Sequence, residues 1–234
     1  MDDSRAERDK VISRYRKRST AANDRRYRVS NPANLLAIQQ RERLTLAGLA
    51  RHGWDDLADL TVLDVGCGEG AELLRLQLWG ARADRLHGID LIPDRARVAG
   101  ERLPLSDIRV GDASGLPWQD AQFDLVIQMT AFSSMLEPRT REAAAREIAR
   151  VVRPDGILLW YDFVLNPTNR DTHGIRAVEL RRLFPGFSVD AHRLTLAPPM
   201  ARFIAPRSSR LAAMLQEIRP LQTHLLAFLR PPNG

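Results

Sequence analysis

Val62-Leu63-Asp64-Val65-Gly66-Cys67-Gly68-Glu69-Gly70 is the stretch from which the rest of this 234-residue chain can be read. A short β-prone run ends in a turn with glycine at every second position, and a helical pattern begins at Ala71. Alternating glycines let the backbone turn through conformations closed to other residues and leave no side chain between it and a ligand. The helix that follows aims its free N–H groups back at the turn. Downstream, Leu86-His87-Gly88-Ile89-Asp90 reads as the next strand, after a helix over 72–79. In a doubly wound sheet, a carboxylate about 20 residues past the glycines stands at the tip of the neighbouring strand and can accept ribose hydroxyls. Asp112, in Gly111-Asp112-Ala113, follows a third short apolar run at 108–110. There it could accept a hydrogen bond from the exocyclic amine of an adenine.

Together these motifs resemble the class I S-adenosylmethionine-dependent methyltransferases, of the methyltransferase type 11-like group. Phe123-Asp124-Leu125-Val126-Ile127 and Val151-Val152-Arg153-Pro154-Asp155-Gly156 also match, so the likeness covers roughly residues 35–165. The resemblance implies S-adenosyl-L-methionine as cofactor and S-adenosyl-L-homocysteine as its product. It implies that Gly66, Cys67, Gly68 and Gly70 line the turn, with Asp64 near the methionine amino group, directly or through water. Asp90, with Leu91 beside it, would take the ribose, and Asp112, with Ala113, the adenine. Gln128 and Thr130, just beyond the fourth strand, would contact the methionine portion. The fold expected is α/β, a doubly wound Rossmann-like sheet of seven mostly parallel strands with an antiparallel last strand. An N-terminal helical lid and a helical insertion between the last two strands complete it.

The composition is 44% hydrophobic and 27% charged, which suits one domain with a substantial core. No run approaches the ~18 apolar residues of a membrane span, and the charged N-terminus has no signal-peptide pattern. A single cysteine, Cys67, can make no internal disulfide, so the expected localisation is cytoplasmic. One cysteine and five scattered histidines form no zinc pattern, and no catalytic metal is expected. The net charge of +6 is concentrated in residues 1–30, where ten basic residues face five acids. That segment is read as a basic arm or lid, ahead of a single domain at 31–234. A basic arm can meet an anionic substrate, nucleic acid or membrane. With only two lysines among 35 basic residues, it also reads as a solvated segment of an arginine-rich chain, and neither a membrane nor a nucleic acid is the partner expected. A homo-oligomer is compatible with the sequence.

Asn31 and Pro32 open a helix whose buried face is expected from Leu35, Leu36, Ile38, Leu44, Leu46 and Leu49. One of Gln39, Gln40 and Arg43 would reach the cofactor carboxylate, and Tyr15 and Tyr27 would belong to the lid. The fifth strand, 157–163, ends in Tyr161 and Asp162, which with His173 are the candidates for orienting an acceptor or taking its proton. A buried Tyr or Asp also often serves only its backbone neighbours, and a lone loop histidine is usually exposed. Strands at 188–196 and 223–229 bracket an insertion with a helix at 209–218, whose apolar residues could line the acceptor pocket. The expected function is methyl transfer to a hydroxyl or amine of a small molecule, natural-product or sugar-linked. Two other readings stay open. One is a nucleic-acid-directed methyltransferase, or a non-catalytic binding protein, that uses the basic arm. The other is an NAD-dependent oxidoreductase, since Gly66, Gly68 and Ala71 also satisfy the permissive dinucleotide fingerprint.

Overall fold

The computed structural model describes residues 28–165 and 172–232. The basic arm with Tyr15 and Tyr27 therefore lies outside the described residues, apart from its last three. One seven-stranded sheet has the order β3-β2-β1-β4-β5-β7-β6. Its strands are β1 (Val62–Val65), β2 (Leu86–Asp90), β3 (Asp107–Val110), β4 (Phe123–Met129), β5 (Val152–Phe163), β6 (Ser188–Leu196) and β7 (Gln222–Arg230). The first five pair in parallel, and β7 runs antiparallel between β5 and β6. This is the doubly wound sheet expected from the sequence, with its antiparallel last strand. The chain changes direction of winding between β1 and β4, and ligands of such sheets bind in the crevice beyond the carboxyl ends of the strands at that point.

The central strands are apolar along their length because both faces are covered. On one face Leu63, Val126, Leu158 and Trp160 pack with Ala144 and Ile148 of helix Pro138–Val151 and with Leu180 of helix Ala177–Leu183. On the other, Val62, Leu125, Leu159 and Phe228 pack with Leu49 of helix Pro32–Arg51 and with Leu73 and Leu76 of helix Ala71–Leu78. Trp118 is a packing residue, edge-on to Phe123 with 5.6 Å between ring centres.

Three features differ from the sequence reading. β5 begins at Val152 rather than after Pro154-Asp155-Gly156, and the extra residues are taken up by a register shift against Phe123 and Leu125. The insertion after β6 holds two helices, Pro198–Ile204 and Ser209–Leu215, the second capped by the Ser208 hydroxyl accepting from the Leu211 N–H at 3.2 Å. The helix Pro32–Arg51 does not bury a leucine stripe. Its buried residues are Ala33, Gln40, Thr45, Gly48 and Leu49, while Leu35 and Leu46 are exposed. A Cβ on Gly48 would lie 1.9 Å from the Phe228 ring, so the helix crosses β7 closer than a side chain would allow. Arg41 and Glu42 then pin it to the next helix through Glu72 and Arg75.

Candidate functional site

The glycine turn lies over Asp64, which is 1% exposed and has no hydrogen-bond partner for either carboxylate oxygen among the described residues. Burial raises its pKa well above the usual carboxylate range; the acids Glu72 and Asp90 add to this, and Arg41 and Arg95 oppose it. A buried carboxyl without a donor is costly unless a ligand completes it, and a cationic amino group would do so. In this respect the residues present fit S-adenosylmethionine. Gly66, Gly68 and Gly70 have φ of 81°, 56° and 80°, the left-handed region that favours glycine. A Cβ on Gly66 would come 2.7 Å from the Ala131 Cβ, so the turn passes directly under the segment that leaves β4.

Asp90 binds the turn to β2. Its Oδ2 accepts from the Gly68 N–H at 2.8 Å and its Oδ1 from the Ile92 N–H at 2.9 Å. Leu91 follows it at a partly buried bend. Cys67 contributes backbone only: its side chain points into the core, where a Cβ on Gly88 would meet the sulfur at 2.9 Å. Asp112 Oδ1 accepts from the Ser114 N–H and hydroxyl at 2.9 and 2.8 Å, shaping the loop after β3, and Ala113 packs on the core.

Gln128, expected at the methionine portion of the cofactor, and Asp162, expected at the acceptor, both lie enclosed. Gln128 is fully buried, its Oε1 accepting from the Ala131 N–H at 2.8 Å and its Nε2 donating to Asp162 Oδ2 at 3.3 Å. Asp162 is equally enclosed: Oδ2 also accepts from the Ser133 N–H at 3.0 Å, and Oδ1 from the Phe163 N–H at 2.8 Å. Neither has surface left for a ligand, and together they hold the 130–134 turn. Thr130, partly exposed, sits in that turn at φ 62°, its N–H donating to the Tyr161 carbonyl at 2.8 Å. Such strain persists only where surrounding contacts over-determine it. His173 lies beside the end of β5, its backbone N–H donating to the Ser133 carbonyl and the Ile175 N–H to the Phe163 carbonyl, but its ring Nε2 is engaged by Glu179 of the helix Ala177–Leu183 at 3.0 Å.

Burial pushes the Asp162 carboxyl up to about 6. The folded state therefore holds a proton that an ordinary, unfolded Asp has released. The associated stability is fully present below the unfolded pKa near 3.9 and is lost as pH rises through 6, on the order of 3 kcal/mol. Urea unfolding of the wild type and of Asp162→Asn at pH 4 and pH 7 should show this pH-dependent component in the wild type and its loss in the variant. Equal pH slopes would contradict it.

The groups that do gather at the tip of β5 are Tyr161, His224, Thr195 and Arg41. Tyr161 and His224, each about 5% exposed, stack at 5.0 Å between ring centres and 9° between planes. The Tyr161 hydroxyl lies 3.0 Å from Thr195 Oγ1, and His224 Nδ1 lies 3.0 Å from Thr223 Oγ1. Thr195 has φ 64°, and its N–H donates to the buried Gln40 Oε1 at 2.8 Å. Arg41 lies over the Tyr161 ring at 5.0 Å, fixed by Glu72. Burial, then the cations Arg41 and Arg193, push the His224 imidazole down to about 3. His224 and Arg41 had no distinguishing signal in the sequence. The usable clue was that an antiparallel β7 must begin beside the end of β5.

Residues 63–160 match the methyltransferase domain family. The chain is 32% identical over 113 residues to the 27-O-demethylrifamycin SV methyltransferase of Amycolatopsis mediterranei, covering 46% of this chain and 40% of that protein. It is 31% identical over 160 residues to the ribosomal protein L11 methyltransferase of Geotalea daltonii, covering 65% and 48%. The chain thus spans under half the length of these relatives. Among solved structures it is similar to the cyclase SpnF, with a TM-score of 0.61, 24% identity and 84% and 83% coverage. No helix among the described residues is long and apolar enough to cross a membrane, and none of their His, Cys, Asp and Glu side chains form a group able to hold a metal ion. With the glycine turn and the strand-tip acids, the stretch 63–160 is a methyltransferase domain by its family match, set in a seven-stranded sheet of the order β3-β2-β1-β4-β5-β7-β6.

Proposed function

We propose that this protein methylates a hydroxyl or amine of a small molecule, at the floor formed by Tyr161 and His224. The observation that carries the reading is the unpartnered Asp64 carboxyl beneath the glycine turn, on the same sheet face as Tyr161. The polar groups at the strand tip are nearly enclosed, which favours a compact acceptor over a macromolecular one. A relative named for a small molecule supports that class of acceptor.

S-adenosylmethionine, when bound, supplies a methyl group on an already activated sulfonium. Asp64 would hold its amino group and Asp90 its ribose. The chain's remaining task is alignment, which can contribute on the order of 7–11 kcal/mol to the barrier. Tyr161, tied to Thr195, offers a fixed hydroxyl for orienting the acceptor. His224 stays neutral at working pH, and with Nδ1 engaged by Thr223, Nε2 is the nitrogen left to accept a hydrogen bond from an acceptor O–H.

Side-by-side calorimetric titration with S-adenosylmethionine, S-adenosylhomocysteine and NAD tests the cofactor half. Binding of the adenosyl ligands alone is expected; NAD alone would overturn it. Once an acceptor is found by S-adenosylhomocysteine release, His224→Ala and Tyr161→Phe should each lower turnover at least about ten-fold with cofactor affinity unchanged, while His173→Ala should change it little. Wild-type turnover in the first two would return them to a packing role.

A further inference from the structure

At the far edge of the sheet, with three strands between it and β1, lies a cavity of about 250 Å3 lined by Ala191, His192, Arg193, Arg219 and Gln222. β6 is the outermost strand, so one of its sides carries no ladder. Arg193 is partly buried there. Its Nη2 donates to the Gln222 carbonyl, but its Nε is enclosed with no acceptor among the described residues. Burial and the nearby cations Arg219 and Arg176 lower its pKa. None of these three arginines forms an ion pair within the described residues. Asp190, the acid on the same strand, is engaged by His192 at 3.0 Å and by Arg51 at 3.6 Å.

Arg193 is half-buried and incompletely solvated there, and the exposed guanidinium groups of Arg219 and Arg176 add like-charge repulsion. An anion between them reverses both effects. The planar guanidinium fork matches the oxygen geometry of phosphate, and such charge-assisted bonds are among the strong ones. The cavity is smaller than the ~300–1,000 Å3 typical of drug-sized ligands, so it has room for an oxyanion and the few atoms attached to it. We infer that this cavity is an oxyanion site, holding the phosphate of a phosphorylated small molecule or lipid headgroup between Arg193 and Arg219. The site stands apart from the glycine turn and does not depend on the methyl-transfer reading.

Calorimetric titration of the full chain with inorganic phosphate and with glycerol phosphate, at low ionic strength with chloride as control, tests it. One saturable site is expected, weakened at least about ten-fold by Arg193→Gln and by Arg219→Gln. Arg219 is exposed on a short turn, so its variant remains informative if Arg193→Gln fails to fold. Flotation with phosphatidylcholine vesicles, with and without phosphatidic acid, separates the sources. Capture by the phosphatidic acid vesicles that Arg219→Gln abolishes assigns the site to a lipid headgroup, and phosphate binding without capture assigns it to a free phosphorylated molecule. No saturable phosphate binding, or equal binding by wild type and Arg219→Gln, overturns the site.

Discussion

Replacing Asp90 with alanine should lower S-adenosylmethionine affinity by about two orders of magnitude and destabilise the domain as well. The carboxylate accepts from the Gly68 and Ile92 N–H groups and is only 6% exposed. Its removal leaves two buried donors unpaired, at about 1–3 kcal/mol each. One of them belongs to the turn proposed to hold the cofactor, so the turn loosens while the proposed ribose acceptor is also lost. Asp90→Asn separates the two effects. It keeps the shape and one oxygen but turns an NH2 group toward one of the two donors, so it should retain more stability than alanine while still losing affinity. Calorimetry and thermal melts on both variants check this. Unchanged affinity in Asp90→Ala would remove Asp90 from the cofactor site and leave it a turn-fixing residue only.

Gly66→Ala should be comparably severe, for a different reason. At φ 81° a non-glycine residue costs on the order of 1–3 kcal/mol. The new Cβ would also stand 2.7 Å from the Ala131 Cβ, well inside the ~3.5–4.0 Å optimum for two carbons. The overlap forces apart the cofactor turn and the strained 130–134 segment, the two walls between which cofactor and acceptor should meet. Ala131→Gly in the same chain removes the overlap but not the φ cost. The double variant should therefore be more stable than the sum of the single effects predicts, a coupling that urea unfolding of all four proteins measures. Strict additivity would mean that the turn and the segment do not press on each other.

The acceptor side decides what the domain does, since one architecture serves many reactions. A cyclase shares this fold at 24% identity. On the proposed reading, the acceptor side is the floor of Tyr161, His224 and Thr195 under Arg41. With His224 neutral well below physiological pH, protonation of its imidazole should not limit turnover between pH 6 and 9.

The amino-acid sequence by itself determined the glycine turn and the strand tips at which the cofactor is proposed to bind. Glycine spacing is a local demand of backbone conformation, and strand-tip acids follow from the period of the strand–helix repeat. Uninterrupted apolar runs announce strands buried on both faces. Those signals act over a few residues, and so Asp64, the three glycines, Asp90, the parallel strands and even the bounds of β6 were legible. The cluster at the proposed acceptor floor was decided only by tertiary structure. The bond that brings Gln40 to Thr195 spans 155 positions, and His224 reaches Tyr161 only because β7 returns antiparallel along β5. The helix Pro32–Arg51 buries Gln40 because it bonds the Thr195 N–H across the fold, which a search for apolar periodicity passes over. Asp162 and Gln128 carry residue types that suit ligand contacts, yet burial and four backbone N–H groups commit them to shaping the chain around the turn. Whether a polar side chain meets a ligand or its own backbone depends on which neighbours the fold brings to it, and that information lies outside any local stretch of the chain.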